Sequence, residues 1–224
     1  MGAKRKRSYG AKVQRPEPVR PATGETFLIV VEGKATEPAY LGRIRAKLGI
    51  KAISVEIVHG NHTDPVGIVK EAIVLRDKQT AKAEKSAIAE PFDRTWVVFD
   101  REKQNHPRRD QMPRALQLAE TNAIAVALSI PTFEFWLLLH YEFTTKAFDG
   151  CEAAKKALKK FIRQYEKGDL PLDELILKVT DAITHAGRCR KHWEEVGGDR
   201  NPSTDVDLLI LALNDAAHAD NRFP

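Results

Sequence analysis

Two apolar runs in the sequence each end in carboxylates, and these acids are the first candidates for chemistry. Residues 27–31 read FLIVV and lead into Glu32, whereas residues 95–99 read TWVVF and lead into Asp100 and, two positions later, Glu102. Such runs are typical of strands that are buried on both faces of a parallel sheet. Acids at the carboxyl ends of these strands lie where open α/β sheets place their ligand crevices. Ordinary solvated acids at strand ends are an equally good interpretation of the spacing alone.

Glu32, Asp100 and Glu102 could together form a metal site. Residues two apart in an extended segment point to the same side, so Asp100 and Glu102 can present their carboxylates together. If the two strands are parallel neighbours, about 4.8 Å apart, all three carboxylates meet at one sheet edge. Mg²⁺, or Mn²⁺ in its place, would relieve their mutual repulsion because a hard cation prefers oxygen ligands. The catalytic and metal-binding residues that this pattern predicts are therefore Glu32, Asp100 and Glu102.

A second segment, residues 129–142, could face the same crevice. Glu134 lies near the start of a predicted helix, where the helix dipole favours an anion, so it is a further candidate metal ligand. His140 shares a helical face with Phe133, Trp136 and Leu137, at the spacing i, i+3, i+4 and i+7. It could orient a carboxylate or contact a phosphate. A core role is the favoured interpretation of His140.

Four other polar residues could line the crevice, each with a structural alternative. Glu37 is close enough in sequence to join Glu32, or it could close a helix N-terminus. Asp64 follows the second strand, and the role of helix N-cap before Pro65 is favoured for it. Lys34 and Arg101 could hold a scissile phosphate, or could pair with the neighbouring acids.

The elements that must position these residues alternate between strand and helix. This order predicts βαβ units with parallel pairing and right-handed crossovers. The predicted domains are an α/β domain at 25–150 and a helical C-terminal region at 151–224 that packs on it. No strand is expected after residue 150, and Thr36 and either Ser203 or Thr204 are expected to be helix caps. The predicted strands are 26–31, 53–58, 95–99 and 123–128, and the predicted helices are about 37–48, 65–87, 110–121, 151–165, 170–187 and 203–219.

The basic character of the chain belongs to its first residues. Residues 1–20 hold seven Lys or Arg and one acid, a net charge of +6, whereas the whole chain carries +5. Residues 1–24 are therefore predicted to be a disordered basic tail that could neutralise nucleic-acid phosphates. A merely solubilising terminus is an equal alternative. The basic residues that begin this tail are Lys4, Arg5, Lys6 and Arg7.

Composition and missing motifs exclude several classes of function. No run approaches the ~18 apolar residues of a membrane span, and no apolar segment follows the basic N-terminus as in a secretory signal. The two cysteines, Cys151 and Cys189, lack metal-ligand spacing, so we expect reduced thiols in a cytoplasmic protein without membrane partners. The sequence contains no P-loop and no Ser or Cys nucleophile motif.

Six motifs resemble the RloB-like family, whose members are similar to the Toprim domains of topoisomerases, primases and overcoming-lysogenisation nucleases. They follow the order of the family and span nearly the whole chain after the tail. The E-G-x-x-T-E and F-E-x-W-L-L-L-H elements are the most specific. The matching stretches are VEGKATEPAYL at 31–41, HTDPVGIVKEAI at 62–73, WVVFDRE at 96–102, SIPTFEFWLLLHYE at 129–142, YEKG at 165–168 and NPSTDVDLLI at 201–210.

The resemblance implies a Toprim-like (Rossmann-like) α/β fold and a Mg²⁺-dependent nuclease or nuclease-derived effector of bacterial defence or a restriction-associated locus. Glu32 matches the first-strand glutamate, and Asp100 and Glu102 match the acidic pair that holds Mg²⁺. Glu102 departs from the usual second aspartate, and Ile130 and Thr132 replace an asparagine and a cysteine. The implied partners are DNA or RNA, with tRNA among the candidates, and an ATPase from the same locus.

Two alternatives to the nuclease stay open at this point. The chain could be a non-catalytic regulatory or binding subunit that docks to the ATPase. It could also be another phosphotransfer enzyme, such as a small nucleotidyl transferase or a phosphatase. Metal-dependent cleavage of a long nucleic acid distinguishes the nuclease from both. The oligomeric state is not predicted by the sequence.

Overall fold

A computed structural model describes the chain at residues 24–51, 55–62, 64–86, 88–101, 111–163, 165 and 170–224. These residues form one sheet of five strands in the spatial order β2-β1-β3-β4-β5. The first four strands are parallel, and β5 pairs antiparallel with β4. The strands are β1 (Phe27–Val31), β2 (Val55–His59), β3 (Arg94–Asp100), β4 (Ala125–Ile130) and β5 (Ser203–Thr204).

Helices cover both faces of this sheet. The predicted α/β class, with a mostly parallel sheet and a helical C-terminal part, is confirmed. The helices are α1 (Thr36–Lys47), α2 (Pro65–Ala83), α3 (Met112–Thr121), α4 (Phe133–Leu138), α5 (Cys151–Leu158), α6 (Leu172–Leu177), α7 (Val179–Val196) and α8 (Val206–Ala216).

Alternate residues of the central strands build two separate cores. In β1, Phe27, Ile29 and Val31 face one core, whereas Leu28 and Val30 face the other. Residues of α1 and α4 to α8 fill the first core, and residues of α2 and α3 fill the second. Because both faces of β1 are covered, its sequence is apolar throughout instead of alternating.

The strand order places a topological switch point between β1 and β3. The chain leaves β1 through α1 on one face to reach β2, then returns through α2 on the other face to reach β3. At such a point the two connections diverge and leave a crevice outside the carboxyl ends of the strands. The acids that follow β1 and end β3 lie at this crevice.

The C-terminal third differs from its prediction in three places, and the first is α5, which ends at Leu158 and not at residue 165. Ser203 and Thr204 were expected to cap a helix, but they form β5, and α8 begins only at Val206. Hydrogen bonding to β4 explains the difference, because the Asp205 N–H donates to the Leu128 carbonyl (2.9 Å). The predicted helix at 170–187 is two helices, α6 and α7, with Lys178 between them.

One expected helix cap near the N-terminus also differs. Thr36 is the first residue of α1 and caps nothing, since the N-cap is Ala35 and no side chain caps this helix. By contrast, Asp64 is the N-cap of α2 as expected, and its Oδ1 accepts from the Gly67 N–H at 2.8 Å. The predicted helix that carries Glu134 is α4, which begins at Phe133 with Thr132 as its N-cap.

Among the helices of the described residues, none combines the length and the apolar character that a membrane crossing requires.

Candidate active site

Glu32 and Asp100 lie side by side at the carboxyl edge of the sheet. β1 and β3 are parallel neighbours with Val31 opposite Val98, so the condition for bringing the acids after the two strands together is met. The ladder continues one residue further, where the Glu32 N–H donates to the Val98 carbonyl at 3.0 Å. The Glu32 side chain turns back over β3, and its Oε2 accepts from the Asp100 backbone N–H at 3.3 Å. Both acids are half-buried, so their carboxylates keep access to solvent and to a ligand.

Glu37 reaches the same edge from the first turn of α1. Its carboxylate lies so close to Gly33 that a Cβ at that position would overlap with it. Gly33 follows Glu32 directly, so the missing side chain makes room for the Glu37 carboxylate beside the β1 end. The structure therefore brings Glu37 to the loop that carries Glu32.

Glu134 is held rigidly in the second residue of α4. It is 4 % exposed, and its carboxylate accepts hydrogen bonds from the Thr132 hydroxyl and from the Tyr165 hydroxyl, the latter at 3.0 Å. Thr132 also accepts from the Glu134 N–H at 3.3 Å, which fixes the first turn of the helix. A buried carboxylate with two hydroxyl donors can be kept in one orientation without a cation.

The first turns of α5 add a thiol and an ammonium group to the surroundings of Glu134. α5 packs on α4 and brings Cys151 and Lys155 towards Glu134. Burial raises the pKa of the Cys151 thiol, and the negative charges of Glu134 and Asp100 raise it further. The pKa of Lys155 is raised chiefly by its hydrogen bond to Glu152 (2.8 Å), with a contribution from Glu134.

The acids form a negatively charged region that contributes to each of these pKa shifts, after burial or a local hydrogen bond. The pKa of Tyr165 is raised by burial first, then by the charges of Glu134 and Glu37. Cys151, Lys155 and Tyr165 come from different parts of the chain, yet each senses an acid of this cluster. The contribution of the acids to these shifts has the sign that would also attract a metal cation.

The two strand-end acids could supply part of a Mg²⁺ site, in which water would provide further ligands. Glu32 and Asp100 offer carboxylate oxygens, the ligands that Mg²⁺ prefers, and one or two carboxylates are common in such sites. Within the part of the chain that the structure describes, no group of three or more His, Cys, Asp or Glu side chains could hold a metal ion. Glu102, the third predicted ligand, lies outside the described residues, as do Lys4, Arg5, Lys6 and Arg7.

The basic residues predicted for this site differ in their surroundings. Lys34 is exposed in the loop after Glu32. Arg101 directly follows Asp100, but its guanidinium turns to the loop before β5, where it donates to the Asp199 carbonyl (2.6 Å) and pairs with the Asp199 carboxylate (3.2 Å). The Asp64 side chain serves the α2 cap described above.

His140 belongs to the core. Its ring is 2 % exposed, its Nε2 lies 2.9 Å from the Tyr40 hydroxyl, and its Nδ1 lies 3.0 Å from the Trp136 carbonyl. A carbonyl only accepts, so Nδ1 carries the proton and Nε2 accepts from Tyr40. Burial lowers the pKa of His140 from 6.5 to about 3. His140 is therefore a core residue, which is the interpretation that its sequence position favours.

We expect the free energy of unfolding to depend less steeply on pH in His140→Gln than in the wild type, at acidic pH. In the wild type, the His140 side chain of the unfolded chain takes up a proton near pH 6.5. In the folded chain it takes up this proton only near pH 3. The free energy of unfolding therefore falls as pH drops below about 6.5, by up to about 1.4 kcal/mol per pH unit for this group. Urea unfolding between about pH 7 and pH 4.5 measures the slope. The exposed His218, changed to Gln, is the control, and identical slopes in all three proteins would contradict the assignment.

Three residues of the site were not predicted from the sequence: Cys151, Lys155 and Tyr165. Cys151 lies 17 residues after Glu134 and carries no motif, and Lys155 resembles the other lysines of an exposed helical stripe. Only the packing of α5 on α4 brings them to the acids. Tyr165 had one signal, since it opens the YEKG stretch that resembles the family.

Two basic residues of α7, Arg188 and Arg190, have structural contacts. The Arg188 guanidinium lies over the Phe143 ring, 3.8 Å from its centroid. The Arg190 guanidinium pairs with the buried carboxylate of Asp207.

The comparison with protein families matches the structure and the motifs. The family model described as RloB-like protein matches residues 27–213, a stretch that begins with β1 and ends within α8. No curated protein and no solved structure matches the chain. The matched stretch includes β1, β3 and α4, which carry the acids of the candidate site, and the resemblance inferred from the motifs is confirmed. The chain belongs to the RloB-like family.

Proposed function

We propose that the chain is a metal-dependent nuclease that hydrolyses phosphodiester bonds in DNA or RNA. The observation that carries the proposal is the hydrogen bond from the Asp100 backbone to the Glu32 carboxylate, which fixes two acids at the switch point of a parallel sheet. Enzymes with this type of sheet bind their ligands at this place. The negative region sensed by Cys151, Lys155 and Tyr165 supports a cation as one of those ligands.

Glu32 and Asp100 would hold the cation, with Glu102 as the expected third ligand and Glu134 as a further carboxylate nearby. A bound Mg²⁺ or Mn²⁺ would supply Lewis-acid activation of the phosphoryl oxygen and a more acidic water. The Glu32 carboxylate is half-buried beside other acids, an environment in which it could accept a proton from the attacking water. Lys34, exposed in the adjoining loop, would offset the charge of the phosphate.

The role of Glu134 differs from that of the two strand-end acids. Because it is buried and bonded to Thr132 and Tyr165, its carboxylate is set in place before any ligand arrives. Such a group would orient a metal-bound water or a neighbouring ligand and would not itself need to move. The basic tail would add phosphate contacts, and defence in a bacterial cytoplasm beside an ATPase partner is the setting in which we place this activity.

Cleavage of separate DNA and RNA pools, tRNA included, tests the proposal. The purified chain is incubated with Mg²⁺, Mn²⁺ or EDTA, and products are separated on denaturing gels. We expect cleavage of one class of nucleic acid that requires the metal and is lost in Glu32→Gln. Glu120→Gln is the matched control, because Glu120 is an exposed acid at the end of α3, at the opposite edge of the sheet.

Two outcomes would contradict the nuclease. Cleavage that persists in EDTA, or that Glu32→Gln leaves unchanged, would show that the acids at the sheet edge do not carry the activity. Cleavage of no pool, with and without a partner ATPase, would favour the non-catalytic regulatory subunit.

A further inference from the structure

A cavity of about 250 Å³ lies between α7 and the loop that leads to β5. It is lined by Arg190, Trp193, Glu194, Arg200 and Asp205. We propose that this cavity binds a nucleobase of the substrate strand, next to the phosphate that is cut. The proposal deepens the proposed function and rests on it.

The cavity lies within reach of the acids at the sheet edge. Asp100 is paired with Ser129 of β4, and Ser129 is paired with Thr204 of β5, with their hydroxyls 3.0 Å apart. Two strand spacings separate Asp100 from Thr204, about 10 Å. The loop is also tied directly to the acidic edge, because Arg101 pairs with Asp199. One nucleic-acid strand can therefore occupy both places.

The charges of the cavity favour a neutral ligand over a phosphate. The Arg190 guanidinium is paired with the buried Asp207 carboxylate and lies 3.6 Å from Asp205. The Arg200 guanidinium lies 3.3 Å from Asp205. Each arginine that lines the cavity is thus already balanced by an acid. What remains for a ligand is the faces of the guanidinium and indole groups and the carboxylate acceptors.

A nucleobase has the chemistry that matches these groups. It is flat and stacks on aromatic rings and on arginine planes. Its exocyclic amino groups donate hydrogen bonds, which Glu194 and Asp205 can accept. Glu194 is exposed and Trp193 is half-buried, so both are accessible to an unpaired base.

A hydrogen bond and the backbone conformation of the loop hold the wall of the cavity in place. The Trp193 indole N–H donates to the Pro202 carbonyl at 2.8 Å, which fixes the ring against the loop. The loop itself contains Arg200 in the left-handed region, with φ at 52°, after Gly197 and Gly198 at 75° and 95°. A non-glycine residue in this region persists only where its surroundings hold it, and such residues cluster at binding sites.

Tryptophan fluorescence tests the proposal on the full chain in EDTA, where nothing is cleaved. Trp96 and Trp136 are buried, so a ligand at the cavity quenches chiefly Trp193. The probes are short single-stranded DNA and RNA oligonucleotides, and base-free sugar-phosphate oligomers of the same length. We expect quenching by one or both oligonucleotides and none by the base-free oligomers. The DNA and RNA arms show which source supplies the base.

Variants measure how much the cavity contributes to binding, with anisotropy of dye-labelled oligomers as the readout because Trp193→Leu lacks the fluorophore. Trp193→Leu should weaken binding of the oligonucleotide about tenfold and leave binding of the base-free oligomer unchanged. Trp193→Phe, which keeps a flat ring, should bind nearly as the wild type does. Glu194→Gln should weaken binding without disturbing the fold, because Glu194 is exposed.

Three results would overturn the proposal: equal quenching by the base-free oligomers, unchanged affinity in Trp193→Leu, or no binding of any oligonucleotide. None of them depends on metal or on cleavage, so failure of the base site is distinguishable from failure of the nuclease. Should Trp193→Leu unfold, the comparison of oligomers on the wild-type chain decides alone.

Discussion

Replacing Asp100 by Asn should reduce metal-dependent cleavage by a factor on the order of 10² to 10³. A carboxylate that binds a catalytic cation stabilises the charge that develops in the transition state. Asn keeps the shape of the side chain and one oxygen but removes the negative charge. The backbone N–H of residue 100 remains, so the hydrogen bond to Glu32 and the β3 pairing persist.

The loss should appear mainly in kcat at saturating metal, with part of the activity regained as Mn²⁺ is raised. Glu120→Gln should cleave at the wild-type rate. Wild-type cleavage by Asp100→Asn at low metal would remove this acid from the mechanism. A loss accompanied by a lower thermal unfolding midpoint would instead assign it to stability.

The second large effect concerns the pair of Arg190 and Asp207. The Asp207 side chain is 1 % exposed and accepts from both Nη atoms of Arg190, whose Nη1 also donates to the Thr204 carbonyl at 3.3 Å. The pair holds α7 against β5 and the start of α8. Removing one partner leaves a buried charge without compensation, so Arg190→Met should lower the free energy of unfolding by about 3–5 kcal/mol.

An exposed ion pair serves as the control for this prediction, and a double variant tests its physical cause. Arg43 pairs with Asp173, but the two side chains are 40 % and 83 % exposed, so Arg43→Met should cost less than about 1 kcal/mol. Arg190→Met combined with Asp207→Leu should regain much of the lost stability, because no charge is then left buried. Equal costs for Arg190→Met and Arg43→Met in urea unfolding would show that the buried pair is not a main contact.

The sequence predicted the strands that carry Glu32 and Asp100, because a local pattern determines structure there. The run FLIVV before Glu32 and the run that ends in Asp100 identify buried parallel strands by composition alone, and the order of elements made them plausible neighbours. The Asp64-Pro65 pair likewise marks the start of α2 through local chemistry. The Asp64 side-chain oxygen accepts from a backbone N–H of the first turn, and Pro65 has no N–H that would need a partner.

The sequence could not predict what depends on distant contacts. β5 consists of two residues, Ser203 and Thr204, and exists because β4 offers free hydrogen-bonding groups there, which no local pattern encodes. The approach of Cys151 and Lys155 to Glu134 depends on how α5 packs on α4. The core position of His140 depends on Tyr40, one hundred residues away in the chain.

Direct measurement of Mn²⁺ binding tests the central claim that Glu32 and Asp100 hold a divalent cation. Titration of the chain with Mn²⁺, followed by electron paramagnetic resonance of the free ion, counts the bound ions without requiring a substrate. We predict saturable binding that Mg²⁺ competes for, weakened at least about tenfold in Glu32→Gln and in Asp100→Asn and unchanged in Glu120→Gln. Equal Mn²⁺ binding by all four proteins, or none by the wild type, would contradict the account.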